Sequence, residues 1–194
     1  MFEKPYELTA SGMKRLANDL EYYANEYLPQ KAEELVRRLA KLGLTEAQIR
    51  ISDLPDRMGV TISCDISREA VDTSAMLMMI GPVKESEKYP PFYIALAVEF
   101  GTGITYNNDI NPYALQLGYG PGTYGQGKGL DPGGWWYWKS YDNEDTDDGE
   151  VEGSSPKGEL IHTYGMQARK PLYSATLEMQ RQIADIAREV FNTK

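Results

Sequence analysis

Gly165-Met-Gln-Ala-Arg-Lys-Pro171 leads into the clearest helix in the chain, which runs on to about Asn192. Pro171 suits a first helical position, where its missing N–H costs nothing. Behind it Leu172, Met179, Ile183, Ile186 and Val190 recur at helical spacing, and Ala175, Thr176 and Ala187 widen the stripe. The pattern predicts one apolar face on a helix of about 20 residues. The opposite face carries Glu178, Arg181, Asp185 and Arg188, spaced to pair along the helix.

Arg169 and Lys170 break a local rule. They stand at the positive end of the helix dipole, a cost of about 0.3–1 kcal/mol each. Either both are solvated, or Arg169 reaches a carboxylate across the fold. Glu99, set among apolar residues in Val98-Glu-Phe-Gly-Thr-Gly103, would need a partner if buried. The pair Glu99 and Arg169 is therefore the expected structural ion pair.

Working back to the N-terminus, residues 9–43 read as helix. Thr9 or Ser11 can cap it, and Met13, Leu16, Leu20, Ala24, Leu28, Leu35, Leu39 and Leu42 keep one stripe. Pro29 interrupts that run, so it is one bent helix or two paired ones. Gly43 reads as its stop, with a short extra turn over Thr45–Ile49. Val60, Ile62, Cys64 and Ile66 alternate with polar residues, which predicts a half-buried strand. Ser74 to Ile80 lacks alternation and reads as a strand covered on both faces. The two form a hairpin with its loop over Arg68–Asp72. Pro90-Pro91 opens a short helix through Phe100, after a charged loop from Lys84 to Lys88.

From Ile104 to Gly134 the chain is rich in Gly, Tyr, Asn and Pro and has no helical period. Loops of that length in compact domains tend to be functional. Gly133-Gly134 is followed by Trp135-Trp-Tyr-Trp138, a strand start, and 134–141 with 158–164 reads as a second, long-looped hairpin. Between them Asp142 to Glu152 holds seven acids and no base, the composition of a solvated turn. The fold class is thus α+β: an N-terminal helix, bent or paired, and a long C-terminal helix on a small, mainly antiparallel sheet. The whole of 1–194 is one domain with an insertion over about 104–157.

Composition narrows the functions. A net charge of −9 argues against tight contact with nucleic-acid phosphates or an anionic membrane. The single cysteine, Cys64, permits no intrachain disulfide and points to a reducing compartment. The first residues lack a signal pattern, and the longest apolar run, near Ala75–Ile80, is too short to span a bilayer.

Gly122-Thr-Tyr-Gly-Gln-Gly-Lys-Gly129 nearly matches a phosphate loop, but Gly129 stands where a hydroxyl would hold magnesium. No apolar strand precedes it and no helix can start at Lys128. The acid run fits a calcium loop poorly, since Thr146 and Ser155 would fall at ligand positions. His162 has no second histidine or cysteine near it in sequence and reads as a satisfied structural histidine. Nothing assembles a nucleophile with a base, so the chain reads as non-enzymatic, with no cofactor and no metal. The distinctive cluster is aromatic: Tyr113, Tyr119 and Tyr124, then Trp135, Trp136 and Trp138. It can serve as a core under the long loop, as an interface for docking, or as a platform for sugar.

Ala97-Val-Glu-Phe-Gly-Thr-Gly103, followed much later by Gly165-Met-x-Ala-Arg-x-Pro171 and an amphipathic last helix, resembles the tail-component family of long-tailed bacteriophages. These are the tail-completion, or neck, proteins of the gene-ten type in lambdoid phages. The resemblance covers the two ends and the Val98–Gly103 junction and leaves out about 104–157. It implies a virion protein, assembled in the host cytoplasm, that forms a homo-oligomeric ring of six. Its implied partners are the head connector or adaptor and the tail-tube or tail-terminator proteins, with DNA passing through unbound. The alternative is an aromatic-patch binding module for carbohydrate or peptide.

Overall fold

The computed structural model describes residues 5–69, 72–85, 91–103, 111–120, 123, 133–139, 150–155 and 158–192. Its architecture is α+β, as the pattern predicts. One helical rod dominates the N-terminal half. Helix α1 (Ala10–Tyr22) passes into a π-helical turn (Tyr23–Tyr27) and then into α2 (Leu28–Ile51). Thr9 caps it, its hydroxyl accepting the Gly12 N–H at 3.1 Å. Tyr23 and Leu28 keep helical angles, so the rod runs on without a break. The π turn resolves the Pro29 problem. Leu28 N–H reaches five residues back, to the Tyr23 carbonyl, and this wider turn takes up the misfit that proline makes with the turn before it.

The rod continues past Gly43, which is no stop. Gly43 is buried inside α2 at the crossing with α4 (Pro171–Asn192). A Cβ there would lie 2.8 Å from Met179 Sδ and 2.9 Å from Leu77 Cδ1. The glycine is a point of close approach, which a sequence cannot tell from a cap. Arg38 meets Glu189 at 3.2 Å, and Ala47 and Ala175 are both fully buried in one cluster, so α2 and α4 run antiparallel. The α4 stripe passes through Leu172, Ala175, Met179, Ile186 and Val190, while Ile183 is nearly half exposed. Glu178–Arg181 and Asp185–Arg188 pair on its outer face at 2.7 and 2.5 Å.

Strands β1 (Thr61–Glu69) and β2 (Asp72–Ile80) pair antiparallel, Thr61 with Ile80 through Glu69 with Asp72. Against the expected strands Gly59–Ser67 and Thr73–Gly81, the pairing is shifted towards the connection, which takes Arg68, Glu69 and Asp72 out of the expected loop. Its inner face, with Ile62, Leu77 and Met79, packs on Ala47, Leu44 and Ile51. Its outer face is open: Met76 and Ile80 are both more than half exposed. The lack of alternation in β2 therefore does not mean cover on both faces. A short pair, β3 (Val83–Lys84) and β4 (Phe92–Tyr93), precedes α3 (Ile94–Phe100). Phe92 and Tyr93 are thus extended, and the helix starts two residues later than expected.

The hairpins do not share a sheet. β5 (Trp135–Lys139) pairs with β7 (Gly158–Thr163), as expected for the second hairpin. β7 is also the centre of the order β5-β7-β6, because β6 (Glu150–Ser155) joins its other edge. The end of the acid run and the Gly-Ser segment after it are therefore strand. Backbone pairing to β7 overrides their turn-like composition.

Candidate functional site

The two segments that carry the family resemblance lie against each other. Thr102 N–H donates to the Met166 carbonyl at 2.7 Å, and Met166 N–H donates to Thr102 Oγ1 at 2.8 Å. Arg169 N–H donates to the Val98 carbonyl at 2.8 Å. Gly103 and Gly165 cross at the centre with φ of 66° and 102°. A Cβ on either would run into the carbonyl of Tyr164 or Thr102. Glycine is required here twice over, by backbone angle and by space.

Glu99 is the hub of this interlock. It is buried on α3. Its Oε2 accepts the Leu172 N–H at 2.9 Å, and its Oε1 accepts the Tyr173 N–H at 3.1 Å and the Asn111 Nδ2 at 2.8 Å. Leu172 and Tyr173 are the second and third residues of α4, whose N–H groups have no partner within the helix. Glu99 is thus a helix cap supplied from a distant segment, at the favourable end of the dipole. Burial raises its pKa above the ordinary carboxylate range. The Leu172 and Tyr173 donors, then Asn111, then the Lys170 charge pull it back.

The expected Glu99–Arg169 ion pair is not formed. Arg169 turns to Asp53, just past the end of α2, at 2.8 Å, with both side chains largely exposed. The reasoning that a buried Glu99 needs partners holds, but backbone N–H groups satisfy it. Lys170 has a φ of 53°, the one described residue other than glycine in the left-handed region. A residue before proline is disfavoured in the helical region, and here Lys170 turns the chain into α4. Asn111 was missed by sequence reasoning. Its signal was the turn-forming Asn111-Pro112 pair, whose Asn side chain also accepts the Tyr113 N–H at 2.9 Å.

Beside Glu99 lies a mostly apolar cavity of about 530 Å³. It opens between α3, the first turns of α4 and the turn over 111–119. Tyr113 and Tyr119, two of the expected docking residues, line it together with Leu96, Phe100, Leu117 and Tyr173. Tyr119 stacks on Phe100 with centroids 4.8 Å apart, and Tyr113 meets Tyr173 edge-on at 5.9 Å. Tyr113 and Leu117 are also about half exposed, so the rim is apolar. Tyr124 lies outside the described residues, as do the side chains of Trp135, Trp136 and Trp138, whose backbone forms β5.

His162 is buried on β7, with Nε2 2.8 Å from the Gly133 carbonyl, which requires the proton on Nε2. Cys64 is half-buried on the inner face of the hairpin. Among the described residues no group of three His, Cys, Asp or Glu side chains is placed to hold a metal. Among them, too, no helix is long and apolar enough to cross a membrane. Comparison with protein-family models, curated proteins and solved structures returns no match.

Proposed function

We propose that this chain is a structural protein of the neck of a long-tailed bacteriophage. In this reading it completes the tail and joins the head connector to the tail tube as a subunit of a ring, six-fold by the resemblance. It works by shape, without a reacting centre. One observation carries the reading. The segments 97–103 and 165–171, which resemble the family motifs, are more than 60 positions apart, and they form one hydrogen-bonded interlock that sets the start of α4. Motifs matched by chance would have no reason to meet. The open outer face of the β1–β2 hairpin and the exposed apolar stripe of α1 suit a protein that is completed by neighbours. The net charge of −9 suits a passage through which DNA slides without phosphate contacts.

The test is reconstitution. The purified chain is mixed with head-connector and tail-tube proteins of a long-tailed phage, and electron microscopy follows the products. A ring seated on the tube end or on the connector is the expected outcome. A chain that binds neither protein would overturn the reading. The aromatic lining of the cavity at Tyr113, Tyr119 and Tyr173 favours a second reading, a module that binds sugar or peptide. Glycan- or peptide-dependent shifts in intrinsic fluorescence, together with no assembly, would support it.

A further inference from the structure

Among the described residues, every hydrogen-bond partner of Glu99 is a donor. The Leu172 N–H, the Tyr173 N–H and the Asn111 Nδ2 amide all point at it, at 2.9, 3.1 and 2.8 Å. That set suits an ionised carboxylate, which only accepts. A protonated carboxyl carries an O–H, and none of the three partners as placed can accept it. Two of them are fixed, because they are backbone groups in the first turn of α4. The third can turn. Asn111 is buried, and its amide joins two groups: Nδ2 donates to Glu99, and Oδ1 accepts the Tyr113 N–H at 2.9 Å. We propose that Glu99 and Asn111 form a proton-operated latch, in which a proton taken up by Glu99 turns the Asn111 amide over and releases Tyr113 at the start of the 111–119 turn.

The exchange of bonds can be followed atom by atom. With the proton on Oε1, the new O–H donates to Asn111 Oδ1, which the turned amide brings to face it. Oε2 still accepts the Leu172 N–H, and the remaining lone pairs of Oε1 still serve the Tyr173 N–H. The cap on α4 is kept. The loss falls on the other side of Asn111, where Nδ2 now faces the Tyr113 N–H, donor against donor. Tyr113 is about half exposed, so water can take up its N–H. Tyr113 also lines the cavity beside Glu99 and meets Tyr173 edge-on, so its release changes the mouth of that cavity. The rest of the turn is held by other means. Ala114 is fully buried with Ala97 and Phe100, its N–H donates to the Asn111 carbonyl at 2.9 Å, and Tyr119 stacks on Phe100. The movement is therefore confined to the Asn111 side chain and Tyr113.

Among the described residues Glu99 is the one carboxyl group at this place. Lys170, leading into α4, is the charge that acts on it. Tyr173 from α4, with Tyr113 and Tyr119 from the turn, stands around the cavity at its side. The Arg169 guanidinium is engaged with Asp53, and α3 brings no titratable group besides Glu99. Burial is the largest influence on Glu99, and it favours the proton. The latch therefore works at a pH where exposed carboxylates are still ionised.

Nuclear magnetic resonance on the whole chain tests this, from about pH 8 down to about pH 4. The Glu99 carboxyl carbon reports the proton. The Tyr113 backbone amide and the Asn111 side-chain amide should shift with the same midpoint, above the ordinary carboxylate value. Below that midpoint the Tyr113 N–H should exchange about tenfold faster relative to an unstructured chain, the equivalent of one hydrogen bond. Leu172 and Tyr173 should hold their protection. Glu99→Gln, which carries a donor at every pH, should show the acid pattern throughout, with no midpoint. Asn111→Ala leaves the α4 cap in place; there Glu99 should still titrate and Tyr113 should not follow. A Glu99 that titrates in wild type with Tyr113 unmoved would overturn the latch, as would a Tyr113 transition that survives in Glu99→Gln. So would a Glu99 that stays ionised until the chain unfolds.

Discussion

The chain carries an amphipathic helix at each end, and their fates differ. In α4 the stripe from Leu172 to Val190 is laid on α2, with Gly43 letting the backbones close and Glu99 capping the first turn. In α1 the stripe Met13, Leu16 and Leu20 is buried by no other element among the described residues, and Met13 and Leu20 are about half exposed. The two helices have equally good periodicity. Periodicity says that a face is to be covered; it does not say whether the cover lies in the same chain. The difference comes from what surrounds each helix. α4 is fixed by a remote carboxylate and two obligatory glycines, whereas α1 is fixed by its own Thr9 cap.

The largest effect should come from breaking the remote cap. Glu99→Ala leaves two backbone N–H groups and the Asn111 amide without their acceptor, at a buried carboxylate position. Each such loss costs about 1–3 kcal/mol, so urea denaturation should show a loss of about 3 kcal/mol or more. Glu99→Gln keeps one acceptor oxygen and should cost less. It also tests the charge. Because burial raises the Glu99 pKa, the folded state holds a proton at a pH where the unfolded chain has released it. The stability this group contributes is full below the ordinary carboxylate value and is lost as pH rises through its raised folded value. Wild type should therefore lose stability relative to Glu99→Gln as pH rises from the ordinary carboxylate value through the raised folded one. The opposite slope would mean that the N–H donors outweigh burial.

Next comes the helix crossing. Gly43→Leu drives a side chain into Met179 and Leu77, and overpacking of this kind costs about 1–3 kcal/mol. Gly43→Ala is the sharper probe. Its neighbours are the ends of flexible side chains, and alanine gains up to about 1 kcal/mol in helix propensity. The net change on thermal melting should be within about 1 kcal/mol either way. A loss of several kcal/mol from alanine would mean that the α2–α4 crossing is closer and stiffer than these side chains suggest.

Much of the architecture was readable in advance, and the failures share a cause. The α+β class, both long helices, the β1–β2 hairpin and the β5–β7 pairing follow from local pattern, which sequence carries directly. Gly43 as a cap, β2 as a strand covered on both faces and the end of the acid run, Glu150 to Glu152, as open turn were misread. Each depends on what stands opposite in space: α4 for Gly43, solvent for Met76, and β7 for Glu150 to Ser155. The site was half legible. Glu99 stood out as a charge among apolar residues, and Tyr113 and Tyr119 as part of an aromatic cluster. The partner of Glu99 was misassigned because backbone donors at a helix start leave no mark in composition. Arg169→Ala should accordingly cost less than about 1 kcal/mol, since its pair with Asp53 is largely exposed. A Glu99/Arg169 double-mutant cycle should show coupling below about 0.5 kcal/mol.

The smallest global effect should come from α1. Thr9→Ala removes the acceptor for the Gly12 N–H, a cap whose loss costs about 0.5–2 kcal/mol of local helix stability. No residue of α1 apart from Gly12 is buried, so unfolding α1 exposes little that the rest of the molecule depends on. The loss should stay local. Hydrogen exchange at amides in α1 should quicken about fivefold for a loss of about 1 kcal/mol, while α4 amides and the melting temperature hold steady. A fall in melting temperature as large as that of Glu99→Ala would mean that α1 is packed in solution, and that the contrast between the two ends is false.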